Sequence, residues 1–330
     1  MSVTAAVIDR PEPSDETRRR RRVDGIVAFV IHASATLTLF TIALIFIFIG
    51  REALPVFFTS AVHEEVTLET MLLPQQYGTS EVPLSYVWQP VSDVPKYSLA
   101  PLFVGTIKVV IVAMLFAVPT ALLAAVYTSE FAPLWVREAA KPVVELLAGI
   151  PSVVLGFFAL IVFASWFQSI FEVDFRLNAT TAGIVLGLAV IPIIYTLSED
   201  ALHSVPKTVK DAAFALGAST WQVALRVSLP AALPGIFAGV ILGLGRAAGE
   251  TMIVLMASGN AAVTSWSFTE PVRTLPATLA AELAEVVFGS PHYHVLFLVG
   301  TLLFVVTFLL NWLGAFFVRG LTLRLSGQRS

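Results

Sequence analysis

Six apolar runs, each long enough to cross a bilayer, constrain this 330-residue chain more than any other feature. They lie at residues 25–50, 102–127, 143–167, 180–197, within 231–260, and at 294–317. About 20 predominantly apolar residues suffice for a helical span. With 57% hydrophobic residues and only 13% charged, a soluble globular fold is excluded. The expected fold class is an all-α polytopic membrane protein with six transmembrane helices in the lipid bilayer. The absence of cysteine removes disulfide frameworks, thiolate metal ligands and a cysteine nucleophile from consideration.

Charge placement sets the expected topology. Residues 18–22 are five consecutive arginines directly before the first run. A basic block at that position reads as a cytoplasmic anchor rather than a nucleic-acid site. With the N-terminus inside, 14 Lys and Arg fall in cytoplasmic segments. Outside lie four: Arg51, Lys96, Arg176 and Arg273. That asymmetry predicts both termini in the cytoplasm. The first run is too long for a signal-peptide core, and Arg51-Glu52 follows it without a small-residue cleavage site, so it is expected to stay uncleaved. The domain plan is a basic tail at 1–24, a first helix with an external segment at 25–99, a core at 100–320, and a tail at 321–330. Residues 128–142 read as a short loop, 51–99 as an external segment with little assured regular structure, and 261–292 as a second one.

Four charges lie inside the runs: Glu145, Lys108, Arg246 and Glu250. Glu145 is one turn from the cytoplasmic end of its run, and an interfacial place explains it. A charge at bilayer depth costs at least about 2.5 kcal/mol on insertion scales, which marks it as functional by default. Gly235, Gly239 and Gly243 recur at every fourth position, and by themselves they indicate close helix packing. Arg246, three residues beyond Gly243, and Glu250, four further on, are expected to continue that packed face, on the protein-facing side rather than toward lipid. Arg246 offers an oxyanion a planar fork of donors and keeps its charge. Glu250 has three open roles: orienting the arginine, repelling a fully ionised anion, or holding a shared proton. A plain structural ion pair is the alternative for both. Lys108, near the start of its run, is expected to snorkel toward water.

Metal sites find little support. His63-Glu64-Glu65 resembles the start of a zinc-protease motif, but Thr67 stands where the second histidine is required. His292 and His294 are two interfacial histidines without further ligands nearby in sequence. No metal or cofactor is expected.

The segment 199–230 is polar and amphipathic. It reads Asp211-Ala212-Ala213, three residues, Gly217, nine residues, then Val227-Ser228-Leu229-Pro230. This resembles the coupling loop of importer-type ABC permeases, with Asp for Glu and Val for Ile as mild departures. Gly217 is expected to end one short helix, Ser219 or Thr220 to cap the next, and Pro230 to open the fifth span. The following Gly245-Arg246-Ala247-Ala248-Gly249-Glu250-Thr251-Met252, closing on Gly259-Asn260, resembles the phosphate branch of that family. It is closer to the PstC-type subunit than to the PstA-type partner, where Gly-Glu-Thr is usually followed by Ala-Pro.

The resemblance covers roughly residues 100–320 and implies a MetI-like permease core. It implies a pathway lined by Arg246, Glu250, Thr251 and Lys108. It further implies ATPase coupling through Asp211, Ala212, Ala213, Gly217, Leu229 and Pro230. The implied partners are a second permease subunit, two cytoplasmic ATPase subunits and an external phosphate-binding protein. No catalytic residue is implied, and the chain contains no Gly-Lys dipeptide, so it has no phosphate-binding G-x-x-x-x-G-K-[ST] loop. An intramembrane protease would need a nucleophile and base within the spans, and none is evident. A transporter working alone would show inverted repeats and would leave the coupling segment unexplained. Within the family, the PstA-type subunit or a permease for molybdate or sulfate are the alternatives.

Overall fold

The computed structural model describes residues 15–76 and 84–325. Most of the expected basic tail lies outside the described residues, as does the end of the chain from residue 326. The chain divides into two compact units, residues 1–51 and 52–330. The described residues of the first belong to one helix, α1 (Asp15–Ala53), whose last residues belong to the second unit.

The second unit begins with short helices α2 (Pro55–Phe58), α3 (Ser60–His63) and α4 (Leu68–Leu72) and a minimal hairpin of β1 (Trp88–Gln89) and β2 (Lys96–Tyr97). It continues through α5 (Ala100–Val126), which closes in a π turn at Tyr127–Phe131, and α6 (Leu134–Ala148). Next come α7 (Ser152–Phe158), a second π turn (Ala159–Phe163), α8 (Ala164–Phe171) and α9 (Ala179–His203). The last stretch holds α10 (Lys207–Ala215), α11 (Thr220–Val223), a third π turn (Ala224–Ser228), α12 (Leu229–Ala248), α13 (Met252–Ala257), α14 (Leu275–Glu282) and α15 (Pro291–Leu325). Six of these helical stretches are long and apolar enough to cross a membrane.

The core is built from small residues. On α5, Gly105, Val109, Ala113, Ala117, Ala121 and Ala125 recur at every fourth position, and all are buried. Residues so spaced share one face. α9 meets that face with Gly183 and Gly187. A Cβ on Gly183 would fall 2.5 Å from Val112 Cβ, and one on Gly187 3.0 Å from the Ala113 carbonyl oxygen. Lipid gives helices no hydrophobic reason to associate, so close backbone approach through small residues does the work. α12 lies between α9 and α15. Its Gly239 and Gly243 close on Leu197 and Ile194, while Gly245 faces the Asn311 amide of α15. The sequence expectation that the glycine series serves helix packing therefore holds.

The third span departs from expectation. Residues 143–167 were to form one helix, with 128–142 a loop before it. Instead α6 begins at Leu134 and stops at Ala148, and the backbone breaks at 149–151 before α7. Pro151 is the cause: its ring disfavours helical geometry at the preceding residue, and its missing N–H suits a helix start. The candidate span is Ser152–Phe171. α6 is a separate helix with no buried residue, carrying Arg137, Glu138, Lys141 and Glu145 among Leu134, Trp135, Val143 and Leu146.

The two segments expected outside carry more structure than their sequence suggested. Glu282, at the end of α14, gathers three partners. Trp88 Nε1 donates to both its carboxylate oxygens at 3.1 and 3.2 Å. His292 Nε2 lies 3.0 Å away, and the Arg273 guanidinium pairs with the same group. Tyr97 packs edge-on against Trp88, and its phenol is pushed up to about 12 by burial, with Glu65 and Glu282 adding to the rise. His294 turns instead to the Glu52 carbonyl at 2.8 Å, so the two histidines do not converge. Glu282→Gln should leave Arg273 without its charged partner and cost about 2 kcal/mol. Thermal unfolding in detergent would check it, and an unchanged midpoint would contradict the assignment.

Candidate functional site

Arg246 occupies the last turn of α12, where the unpaired carbonyls favour a positive charge. The helix stops two residues later. Glu250 does not extend it, because its Oε1 accepts from the Thr251 and Met252 N–H groups, both at 3.1 Å, and so caps α13. The expected i,i+4 pair on one continuous helix face is therefore not formed. Among the described residues no ion pair joins Arg246 to Glu250. Ala247, four beyond Gly243, continues the buried row of α12, whereas Arg246 is exposed on the isolated chain in line with exposed Leu242. The arginine flanks the packed face instead of lying on it.

Glu250 is half-buried in a tight niche lined by Thr106 and Val109 of α5, Val254 of α13 and Thr274. Thr251 is half-buried beside it, and its hydroxyl donates to the Gly249 carbonyl at 3.4 Å. Lys108 behaves otherwise than expected. It is 1% exposed, donates to the Ser265 carbonyl at 3.1 Å and sits 5.9 Å from the Phe268 ring centre. The segment after α13 folds over this lysine, so its ammonium finds a carbonyl inside the protein in place of water. The structure thus brings Glu250 and Thr251 together at the helix break, places Arg246 just before it, and engages Lys108 with a loop.

A second break, at 149–151, belongs with the first. Non-helical backbone at membrane depth is tolerated only where protein buries it or it lines a wet cavity. An open cavity of about 600 Å³ lies here, lined by Pro142, Glu145, Leu146, Gly149, Ile150 and Pro151. The helices that follow the two breaks pack together: a Cβ on Gly156 of α7 would fall 3.0 Å from Met256 Sδ and 3.1 Å from the Met252 carbonyl of α13. The signal was Gly149-Ile150-Pro151 in the middle of an apolar run.

The segment expected to couple is a helix, a turn and a second helix. α10 ends in a Schellman arrangement: Gly217 N–H reaches the Phe214 carbonyl and Ala218 N–H the Ala213 carbonyl, with Gly217 at φ +83°. Asp211, Ala212 and Gly217 are exposed, and Ala213 is half-buried. Ser219 caps α11, its hydroxyl accepting from Gln222 N–H, while the Gln222 side chain reaches back to Ser219 N–H. Pro230 stands at the second residue of α12, as expected of a helix start, but the helical run begins before it. The helix runs from Thr220 to Ala248, and a π turn at Ala224–Ser228 precedes the proline. A proline ring clashes with the carbonyl four residues back, and a locally widened turn relieves that clash. Leu229 packs on the core beside it.

Comparison with known proteins gives this architecture a family. A model of the binding-protein-dependent transport system inner membrane component matches residues 117–323. A probable ABC transporter permease of Bacillus subtilis, YqgH, is 33% identical over 296 residues, covering 89% of this chain and 88% of the relative. The phosphate transport system permease protein PstC of Mesorhizobium japonicum is 37% identical over 243 residues, 68% of this chain and 73% of its own. Among solved structures, a bacterial alginate ABC transporter chain superposes with a TM-score of 0.59 over 90% of this chain and 94% of that one, at 13% identity. A chain of the MetNI methionine ABC transporter gives 0.53, covering 67% of this chain and 96% of that one, at 19% identity. At such identities the structures speak for the fold alone. The chain belongs to the family of binding-protein-dependent transport system inner membrane components, the ABC permeases, and is a multi-pass protein of the inner membrane.

Proposed function

We propose that this chain is the PstC-type membrane subunit of an ATP-driven importer of inorganic phosphate. The observation that carries the reading is Arg246: a permanent cation late in a membrane helix, exposed on the isolated chain and without an acidic partner among the described residues. Such a charge needs water, a partner subunit or a passing anion. The relatives named as phosphate permeases supply the anion. In this reading Arg246, Glu250, Thr251 and Lys108 belong to the pathway, Lys108 by fixing the loop above it. Asp211, Ala212, Ala213 and Gly217 meet an ATPase subunit, with Leu229 and Pro230 anchoring the segment. A second, non-identical permease completes the pathway, two ATPase subunits hydrolyse ATP, and an external binding protein delivers phosphate. The chain itself performs no hydrolysis.

Uptake of labelled phosphate by vesicles carrying the assembled complex tests this directly. Unlabelled phosphate should compete, whereas molybdate and sulfate in equal excess should not. Competition by molybdate or sulfate alone would reassign the substrate. The topology has its own check, since the chain lacks cysteine. A cysteine placed at Ser204 should react with an impermeant thiol reagent only from the cytoplasm, and one at Ser267 only from outside. The reverse pattern would invert the orientation.

A further inference from the structure

We propose that the π turn Tyr127–Phe131, clasped to α10 through the Glu130–Lys210 ion pair, is the link that carries movement of the coupling segment into α5. The proposal rests on the importer reading above and assigns a positioning role to two residues outside the pathway and outside the recognised coupling pattern.

The turn collects four elements. Tyr195 of α9 donates its hydroxyl to Thr128 Oγ1 at 3.1 Å. Arg137 of α6 donates Nε to the Thr128 carbonyl at 2.9 Å and Nη2 to the Ser129 carbonyl at 2.6 Å. Lys210 of α10 donates Nζ to Glu130 Oε1 at 2.7 Å. Phe131 lies 5.9 Å, ring centre to ring centre, from Trp221 of α11. A π turn has an extra residue in its ring and recurs at functional positions. Here its side chains and carbonyls radiate toward every helix around it.

The ion pair is the distinctive contact. No residue of α10 is buried, so the helix has no apolar anchor. Its tie to the core is charged and enclosed: the Lys210 and Glu130 side chains are only 18% and 8% exposed. Among the described residues it is the one ion pair that α10 makes. A push on α10 therefore reaches Glu130 directly, and with it the end of α5.

The far end of α5, about 40 Å away at 1.5 Å per residue, is equally well held. Lys108 is bonded to the Ser265 carbonyl, Leu275 N–H donates to Thr106 Oγ1 at 3.1 Å, and Gly105 lies against the Arg273 backbone. Thr106 and Val109 also line the niche that holds Glu250. One helix thus runs from the charged clasp to the break in the pathway.

The test uses the full complex, with its partner permease, ATPase and binding protein, in proteoliposomes. Phosphate imported per ATP hydrolysed should fall by about tenfold in Glu130→Gln and in Lys210→Met, an ordinary size for coupling between sites. Hydrolysis should stay near the wild-type rate. The exchanged pair, Glu130→Lys with Lys210→Glu, should restore most of the ratio, which a loss of fold would not allow. A ratio unchanged in both single variants overturns the proposal, as does an assembled exchanged pair no better than either.

A second readout needs no phosphate. Spin labels on cysteines at Thr208 and Leu123 should keep their separation between nucleotide-free and vanadate-trapped complexes of the wild type. In Lys210→Met the separation should change by about one helical turn, roughly 5 Å. Equal behaviour in both proteins overturns the link. Wild-type complex that holds this distance yet imports no phosphate refutes the substrate and leaves the link standing.

Discussion

Arg246→Gln should abolish phosphate uptake by a complex that still inserts and assembles. Hydrogen bonds to a charged group contribute about 1.5–3 kcal/mol, and 3 kcal/mol corresponds to roughly a hundredfold in rate or affinity at 1.4 kcal/mol per decade. Arg246→Lys should recover little, since an ammonium does not reproduce the planar fork. The decisive variant is the double change Arg246→Gln with Glu250→Gln. If Arg246 served only to neutralise Glu250, removing both charges would restore uptake. In the structure Glu250 is occupied by the Thr251 and Met252 N–H groups and makes no ion pair with Arg246. No rescue is therefore expected. Uptake normalised to assembled complex measures it, and a double variant near wild-type rate would reduce the arginine to scaffolding.

Gly217→Trp should lower transport severely while leaving the amount of inserted protein unchanged. Two effects are superimposed at this position and can be separated. At φ +83° any L side chain is strained by about 1–2 kcal/mol, which Gly217→Ala measures alone. A Cβ there meets nothing within 4 Å, so the first atom of a side chain has no clash inside the chain. With Gly217 exposed, the effect expected beyond alanine is a clash with a body outside the chain, which in the proposed function is the ATPase. Co-purification of the ATPase subunit with both variants gives the comparison. Equal retention by alanine and tryptophan would remove Gly217 from the docking surface.

The six spans were legible because hydropathy over 20 residues is a strong and local signal. The turn after α10 was legible for the same reason, since Gly217 and Ser219 carry their geometry within a few residues, although the Gln222 half of the cap was not read. What hydropathy could not see was interruption. Residues 149–151 are nearly as apolar as their surroundings, and 249–251 carry a single charge within a long apolar run. Yet Pro151 breaks the first run, and at the second α12 stops at Ala248 while the Glu250 carboxylate accepts from the first N–H groups of a new helix. The assumption of an unbroken helix put Arg246 and Glu250 on one face, and a single break separated them. The Glu282 cluster was invisible for another reason. Trp88 and Glu282 are 194 residues apart, and only the assembled fold brings them together. Lys108 was misplaced because snorkelling assumes open water above the span, where this chain supplies the Ser265 carbonyl.

The alanine row on α5 has one more consequence, and it concerns entropy. A leucine loses about 0.5–1 kcal/mol of rotamer freedom on burial, whereas alanine and glycine have none to lose. Ala113, Ala117, Ala121 and Ala125 therefore form a buried row with a single side-chain arrangement, while Val112 and Phe116 beside it meet Gly183 and Gly187 of α9. A force arriving at one end finds no alternative rotamers in which to dissipate. Along that row α5 has little side-chain slack with which to absorb a displacement.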